Sequence, residues 1–233
     1  MKFQLSDTVG NIVVRFPKGA DVLKKYNIDY CCGGDRTFLD VCQTDKLDAP
    51  LIILELQEYF ESLSSSSTDW NTAPIPELVN HILQAHHAYL YDILPELSLL
   101  TTKILRVHGG AHKELTDVYL TFHKLKTDMD MHLIKEETVQ YPSIETYIKT
   151  NNIDDLTNAI GIILELQGEH TDVGNALKKL RKVTDNYKIP EGVCGTFVKT
   201  YELLEQLEQN TFTHIHLENN ILFPRIIEKG NMN

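Results

Sequence analysis

No apolar stretch in this chain of 233 residues comes near the roughly 20 residues a membrane-spanning helix requires. The longest apolar runs, such as Leu51–Leu54, fall far short. Residues Met1 to Val14 carry Lys2 and Asp7 and hold no apolar run of signal-peptide length, so a cytoplasmic protein is expected. Basic residues are in the minority. Lys and Arg total 22 against 33 Asp and Glu, a formal charge of -11 that repels phosphate backbones and argues against nucleic acid as a direct partner. Bound metal cations would offset part of that charge. Cysteine is scarce: Cys31, Cys32, Cys42 and Cys194. None stand in C-x-x-C spacing, and the adjacent pair could close a disulfide only with strain. A secreted disulfide framework, a thiolate zinc site and a thioredoxin-type motif are all disfavoured. No segment reads convincingly as a strand.

What the chain does have is histidine, 10 in all, clustered rather than scattered. It also has long helical periodicity. Residues 62–76, SLSSSSTDWNTAPIP, read as a linker between a small region, 1–61, and a large one, 77–233. In the first region Thr8 is a candidate N-cap, Pro17 opens a second helical stretch that Asn27 would stop, and Thr37 could cap a third. Leu51–Phe60 reads as a fourth. In the second region Leu78, Ile82, Ala85, Tyr89 and Ile93 recur at helical steps. So do Val118, Phe122, Leu125, Met129 and His132. Two further patterns run from Leu156 to Leu177 and from Tyr201 to His214. Breaks fall at His108–Gly110, Thr150–Ile153 and Tyr187–Gly192, and Pro95 is a candidate kink. The expected fold is all-α: a small helical N-terminal domain followed by an up-down four-helix bundle.

The large region repeats itself. His132 and Glu136 form H-x-x-x-E with Pro142 ten residues after the histidine; His214, Glu218 and Pro224 do the same. His87 precedes His132 by 45 residues, and His170 precedes His214 by 44. One H-x-x-x-E is weak, since roughly 0.7 is expected by chance in this composition. The repeated trio is far more specific. Residues at i and i+4 share a helix face, so each pair can aim at one centre. Polar groups that converge in a core need a common partner. The set is rich in nitrogen and carboxylate and lacks thiolate, which suits iron, manganese or zinc. Two glutamates from opposite helices can each bridge two metals. A fifth histidine is available at His108 or, as a rival, His112. Two octahedral ions offer roughly twelve positions. Five imidazoles, two bridging carboxylates and a bridging oxide or hydroxide would leave about one open to a small molecule such as oxygen or nitric oxide.

The segment DYCCGG at 29–34 resembles the N-terminal domain of the iron–sulfur cluster repair proteins, also called repair of iron centres. HILQAHH, ILRVHG, MHLIKEE and HIHLENNILFP resemble that family's hemerythrin-like domain in order and spacing. The resemblance implies two non-haem irons, oxo- and carboxylate-bridged, on His87, His108, His132, Glu136, His170, His214 and Glu218. It thus prefers His108 to His112, and leaves His81, His86, His112, His123 and His216 as surface or supporting residues. One departure is Tyr141-Pro142, where relatives tend to have Phe-Pro. The implied role is repair of clusters damaged by oxidative or nitrosative stress, by donation of iron to damaged iron–sulfur proteins, in a chain expected to form a homodimer. The alternative is reduction or sensing of nitric oxide or peroxide. Cys31 and Cys32 precede two glycines and a helix start, which would favour a thiolate and a redox or iron-handover role. Cys42 and Cys194 read as structural.

Overall fold

In the computed structural model, residues 3–62 and 69–231 are described, and every regular element among them is helical. Thr8 and Thr37 meet in a lone antiparallel bridge. Residues 63–68 of the expected linker lie outside the described residues. Residues 69–74 form a tied turn: Asp69 accepts from Asn71 and Thr72, and Arg225 donates to the carbonyls of Trp70 and Ala73. The chain divides into two compact units, Met1–Leu78 with Ile215–Glu228, and Val79–His214 with Lys229–Asn233.

In the first unit, α1 (Val9–Arg15) and α3 (Phe38–Asp45) begin at threonines whose hydroxyls accept from Asn11 and Asp40 amides. Each cap satisfies an orphan donor of a short helix and contributes about 1 kcal/mol. Between them, α2 (Gly19–Lys25) ends before Asn27, whose φ of +57° stops the helix in the left-handed region. Helix α4 (Ala49–Ser62) starts on an Asp48 side chain that accepts from Leu51. The core of this unit gathers Phe3, Phe16 and Phe60, with ring centroids 5.2–6.0 Å apart, beside buried Leu23, Ile52 and Leu56.

The second unit holds the greater part of four long rods. Helix α5 (Ile75–Ile82) runs through a π-helical turn, Leu83–His87, into α6 (Ala88–His108). Helix α7 (Glu114–Lys135) runs through a second, Glu136–Gln140, into α8 (Tyr141–Thr150). Helix α9 (Ile153–Val183) is uninterrupted, and α10 (Gly195–Leu217) leads through a third π turn, Glu218–Leu222, to α11 (Phe223–Asn231). Helix α7 packs on α6 and α9. Helix α10 reaches α9 through Arg181–Glu208 and α6 through Lys199–Glu96. Stripes such as Leu94, Leu97, Phe122, Leu125, Leu166 and Leu177 are buried between the rods, each contributing about 1.5–3 kcal/mol. Helix α6 continues through Pro95 unbroken.

Two of these π turns have a local cause. Pro142 and Pro224 each stand two residues after a π turn closes. Proline brings no N–H and its ring crowds the carbonyl four residues back, at Thr138 and Asn220. Both of those residues lie inside the widened turns, where an extra residue moves the carbonyl off the ring. Each turn opens on a glutamate of the sequence repeat, Glu136 or Glu218, and the remaining π turn closes on His87.

Glu208 is wholly buried and receives two-point bonds from Arg181 at 2.7–3.0 Å. Glu208→Ala strands the guanidinium and is expected to lower the free energy of urea unfolding by about 3 kcal/mol. A joint replacement of Arg181 and Glu208 by Met and Leu is expected to restore most of that loss.

Candidate metal centre

At the middle of the second unit sits Glu136, fully buried, with imidazoles on both carboxylate oxygens. His132 Nε2 is 2.9 Å and His170 Nε2 3.6 Å from Oε1. His87 Nε2 is 3.3 Å and His214 Nε2 3.6 Å from Oε2. The ligating atoms of His132, Glu136 and His170 lie within 4.8 Å of one another, as do those of His87, Glu136 and His214. Each rod contributes: His87 closes the first π turn, His132 and Glu136 stack one helical turn apart on α7, His170 projects from α9 and His214 from α10. The result is two subsites of two imidazoles each, sharing one carboxylate.

Burial alone would push the Glu136 carboxyl up, but the imidazoles, His132 and His214 foremost, outweigh it and hold it well below the usual carboxylate range. Neither Glu136 oxygen has a hydrogen bond of good geometry. His132 Nε2 and His170 Nε2 face each other at 3.1 Å. A nitrogen pair at that distance can share at most one proton, so a lone pair is left pointing inward. An anion and several imidazole nitrogens turned on one small space, sealed from water, fit a pair of divalent or trivalent cations.

The outer nitrogens are held as metal-binding histidines require. His87 Nδ1 is 2.8 Å from Glu137 Oε1, and His132 Nδ1 is 2.9 Å from Glu169 Oε2. A carboxylate on Nδ1 fixes its proton there and leaves Nε2 as a donor to metal. Lys135 pairs with the other oxygen of Glu169. Neither Glu137 nor Glu169 was singled out by the spacing argument, although each adjoins a ligand in sequence. Tyr141 was noted only as a departure from Phe-Pro; its hydroxyl stands 3.3 Å from His87 Nε2.

His108 is a correction. It lies at the far end of α6 from His87, and a straight helix advances about 31 Å over that separation. Because α6 is continuous, the two histidines cannot share one ion pair. His108 Nε2 instead faces Cys194 Sγ at 3.2 Å. The rival His112 is also away from the cluster, with Nδ1 3.0 Å from Glu114. Of the remaining histidines, His86 is buried against Asn210 and stacks on His214. His81 and His123 are half-buried.

Glu218, in the first unit's C-terminal segment, is completely buried at the head of its π turn. In the same unit this turn holds the Cys-Cys loop. Asn220 Nδ2 lies 3.3 Å from the Tyr30 carbonyl and 3.4 Å from that of Cys31, and 3.1 Å from His216 Nδ1. Gly34 makes that approach feasible, because a Cβ there would stand 2.7 Å from both Asn220 Oδ1 and the Tyr30 oxygen. Asp29 Oδ1 accepts from the Cys31 and Cys32 amides and lies 3.2 Å from Cys31 Sγ, which is 3.7 Å from Cys32 Sγ. Burial, then Cys32 and Asp29, push the Cys31 thiol well up, opposite to the expected lowering by a helix start. The following helix is capped by Thr37 rather than by either cysteine.

The sequence profile of the hemerythrin HHE cation binding domain matches residues 78–226. That of ScdA_N, described as a domain of unknown function (DUF542), matches residues 5–59. Over 222 residues the chain is 33% identical to the iron-sulfur cluster repair protein YtfE of Shigella boydii serotype 4 (strain Sb227), covering 94% of this chain and 96% of the relative. Identity to the protein of the same name from Escherichia coli O157:H7 is also 33%, and from Citrobacter koseri 32%, with the same coverage.

These contacts separate the cluster residues from bystanders. Glu136→Ala is expected to abolish cation loading at the cluster, and Glu169→Gln to weaken it about 10–100-fold. His108→Gln is expected to load like the parent in metal analysis after dialysis; loss of a cation from that variant would restore His108 as a ligand.

Proposed function

The chain belongs to the iron–sulfur cluster repair family with a hemerythrin-type bundle, and from that premise we propose that it is a di-iron protein that restores damaged iron–sulfur clusters by donating iron. The observation that carries this reading is the division of Glu136, with His132 and His170 on one oxygen and His87 and His214 on the other. Glu218 is the second bridging carboxylate in this reading: it stands to His214 as Glu136 stands to His132, and it is equally buried. Bound there, the irons would supply Lewis acidity and a ferrous–ferric couple.

The protein's own groups suit cargo that must be held and released. Glu137 and Glu169 keep the imidazoles aimed, and both sit closer to solvent than the ligands they orient. A cleft of about 240 Å³ opens onto His132 and Glu169, lined also by Asp128, Asp172, Lys124 and Lys135. Its carboxylates offer a departing cation a hard-oxygen route. Asp29, Cys31 and Cys32, whose ligating atoms lie within 4.8 Å of one another, form a receiving cluster tied through Asn220 to the turn that begins at Glu218. The raised Cys31 thiol is consistent with a handover role, since an arriving cation displaces thiol protons that an empty loop retains. Damaged iron–sulfur proteins in the cytoplasm are the clients in this reading.

Loss of the fifth imidazole favours a second activity, reduction or sensing of nitric oxide or peroxide. Four imidazoles leave roughly two of twelve positions for small molecules, where five would leave one. The Tyr141 hydroxyl, 3.3 Å from His87 Nε2, supplies a proton donor on that side.

Reduced, iron-loaded protein is expected to rebuild an inactivated cluster enzyme faster than its iron escapes to a chelator in buffer. Equal rates would remove the donor reading. Replacing Cys31 and Cys32 together by Ser is expected to slow transfer about 10-fold, on the scale of lost outer-shell contacts, while the iron content of the bundle stays unchanged.

A further inference from the structure

Cys194 immediately precedes α10 and is exposed. Its carbonyl accepts from the Phe197 and Val198 amides, so it occupies the N-cap position of a helix of 23 residues. Its sulfur faces His108 Nε2 at 3.2 Å. That imidazole is held edge-on against buried Phe197, with ring centroids 5.5 Å apart. His112, whose own ring packs on Phe197 at 5.1 Å and bonds Glu114, is the next titratable group at this end of the bundle. A thiol, a base within proton-transfer reach and a packed residue fixing that base together form the arrangement of an activated nucleophile. The metal cluster makes no use of it.

We propose that Cys194 and His108 form a thiol–imidazole pair that exchanges with low-molecular-weight disulfides, making Cys194 a site of mixed-disulfide modification. His108 Nε2 takes the thiol proton. The thiolate attacks one sulfur of the incoming disulfide, whose S–S bond breaks as the Cys194 Sγ–S bond forms. The departing thiolate takes the proton back from His108. One disulfide is consumed and one is formed, so Cys194 is oxidised and one small thiol is released in reduced form. Cys194 is the sole cysteine within residues 79–214, so no thiol of its own unit resolves the mixed disulfide.

Electrostatics run the same way. Hydrogen bonds to the sulfur from the Phe197 amide, then from His108 and the Thr196 amide, bring the Cys194 thiol down to about 7, against the burial that would raise it. The thiolate is therefore the major form above about pH 7, where an ordinary cysteine, near 8.5, remains mostly protonated.

The test uses the full-length, iron-loaded protein and glutathione disulfide, followed by intact mass and peptide mapping between pH 5.5 and 9. Cys194 is expected to gain one glutathione first, with a rate midpoint near pH 7. In His108→Gln the midpoint is expected to rise by roughly one unit and the rate at pH 6.5 to fall about 10-fold. That variant's iron content and helical circular dichroism are expected to match the parent, which separates a lost base from a lost fold and from a lost metal ligand. Should His108→Gln fold poorly, the parent's profile decides, with Cys194→Ser as the blank. A Cys194 rate no faster than that of the urea-unfolded chain, or a midpoint that His108→Gln leaves in place, would overturn the pair.

Discussion

The arrangement of the second unit depends on one buried anion. Glu136 has no exposed surface, and an uncompensated carboxylate in such a place costs several kcal/mol. Four imidazoles stand around it, yet imidazoles are mostly neutral at neutral pH and cannot all supply positive charge. Cations held by the carboxylate and the Nε2 atoms would resolve the conflict. The π turn that begins at Glu136, the carboxylates on the outer Nδ1 atoms and the leucine stripes between rods then act as the means by which five side chains from four rods are kept on one point.

The i to i+4 pairing of His132 with Glu136 was legible because helix periodicity alone decides it, and the repeat at His214 and Glu218 marked the second hairpin. The threonine caps at Thr8 and Thr37 were legible for the same local reason. His108 was misplaced by carrying a resemblance over position by position. Distance along a helix argues against it unaided: residues 21 apart on one rod, α6, stand about 31 Å apart. Only a break at Pro95 could fold them back, and the helix accommodates that proline without one.

Other features had no local signal. Nothing in the linear order says that Ile215–Glu228 packs with the N-terminal unit, because long-range packing decides it. The Cys-Cys loop looked like the start of a helix-activated thiolate, but Cys31 is buried behind Asp29, and burial dominates. The Tyr141 hydroxyl beside His87 shows the reverse case. A substitution that reads in the sequence as a change in packing places a hydroxyl 3.3 Å from His87 Nε2.

Helix α10 links two kinds of chemistry that solvent keeps apart. Its N-terminal cap is an exposed, polarisable sulfur paired with one imidazole, suited to exchange with small molecules that arrive from water. His214, further along the same helix, is buried among hard donors suited to holding cations. Twenty residues of helix separate Cys194 from His214, about 30 Å and several times the roughly 8 Å Debye length at physiological salt. A charge gained or lost at the cap is thus not felt directly at the cluster. Any influence of one end on the other has to pass through displacement of the helix itself, and that displacement is opposed by the buried Arg181–Glu208 pair that fastens α10 to α9.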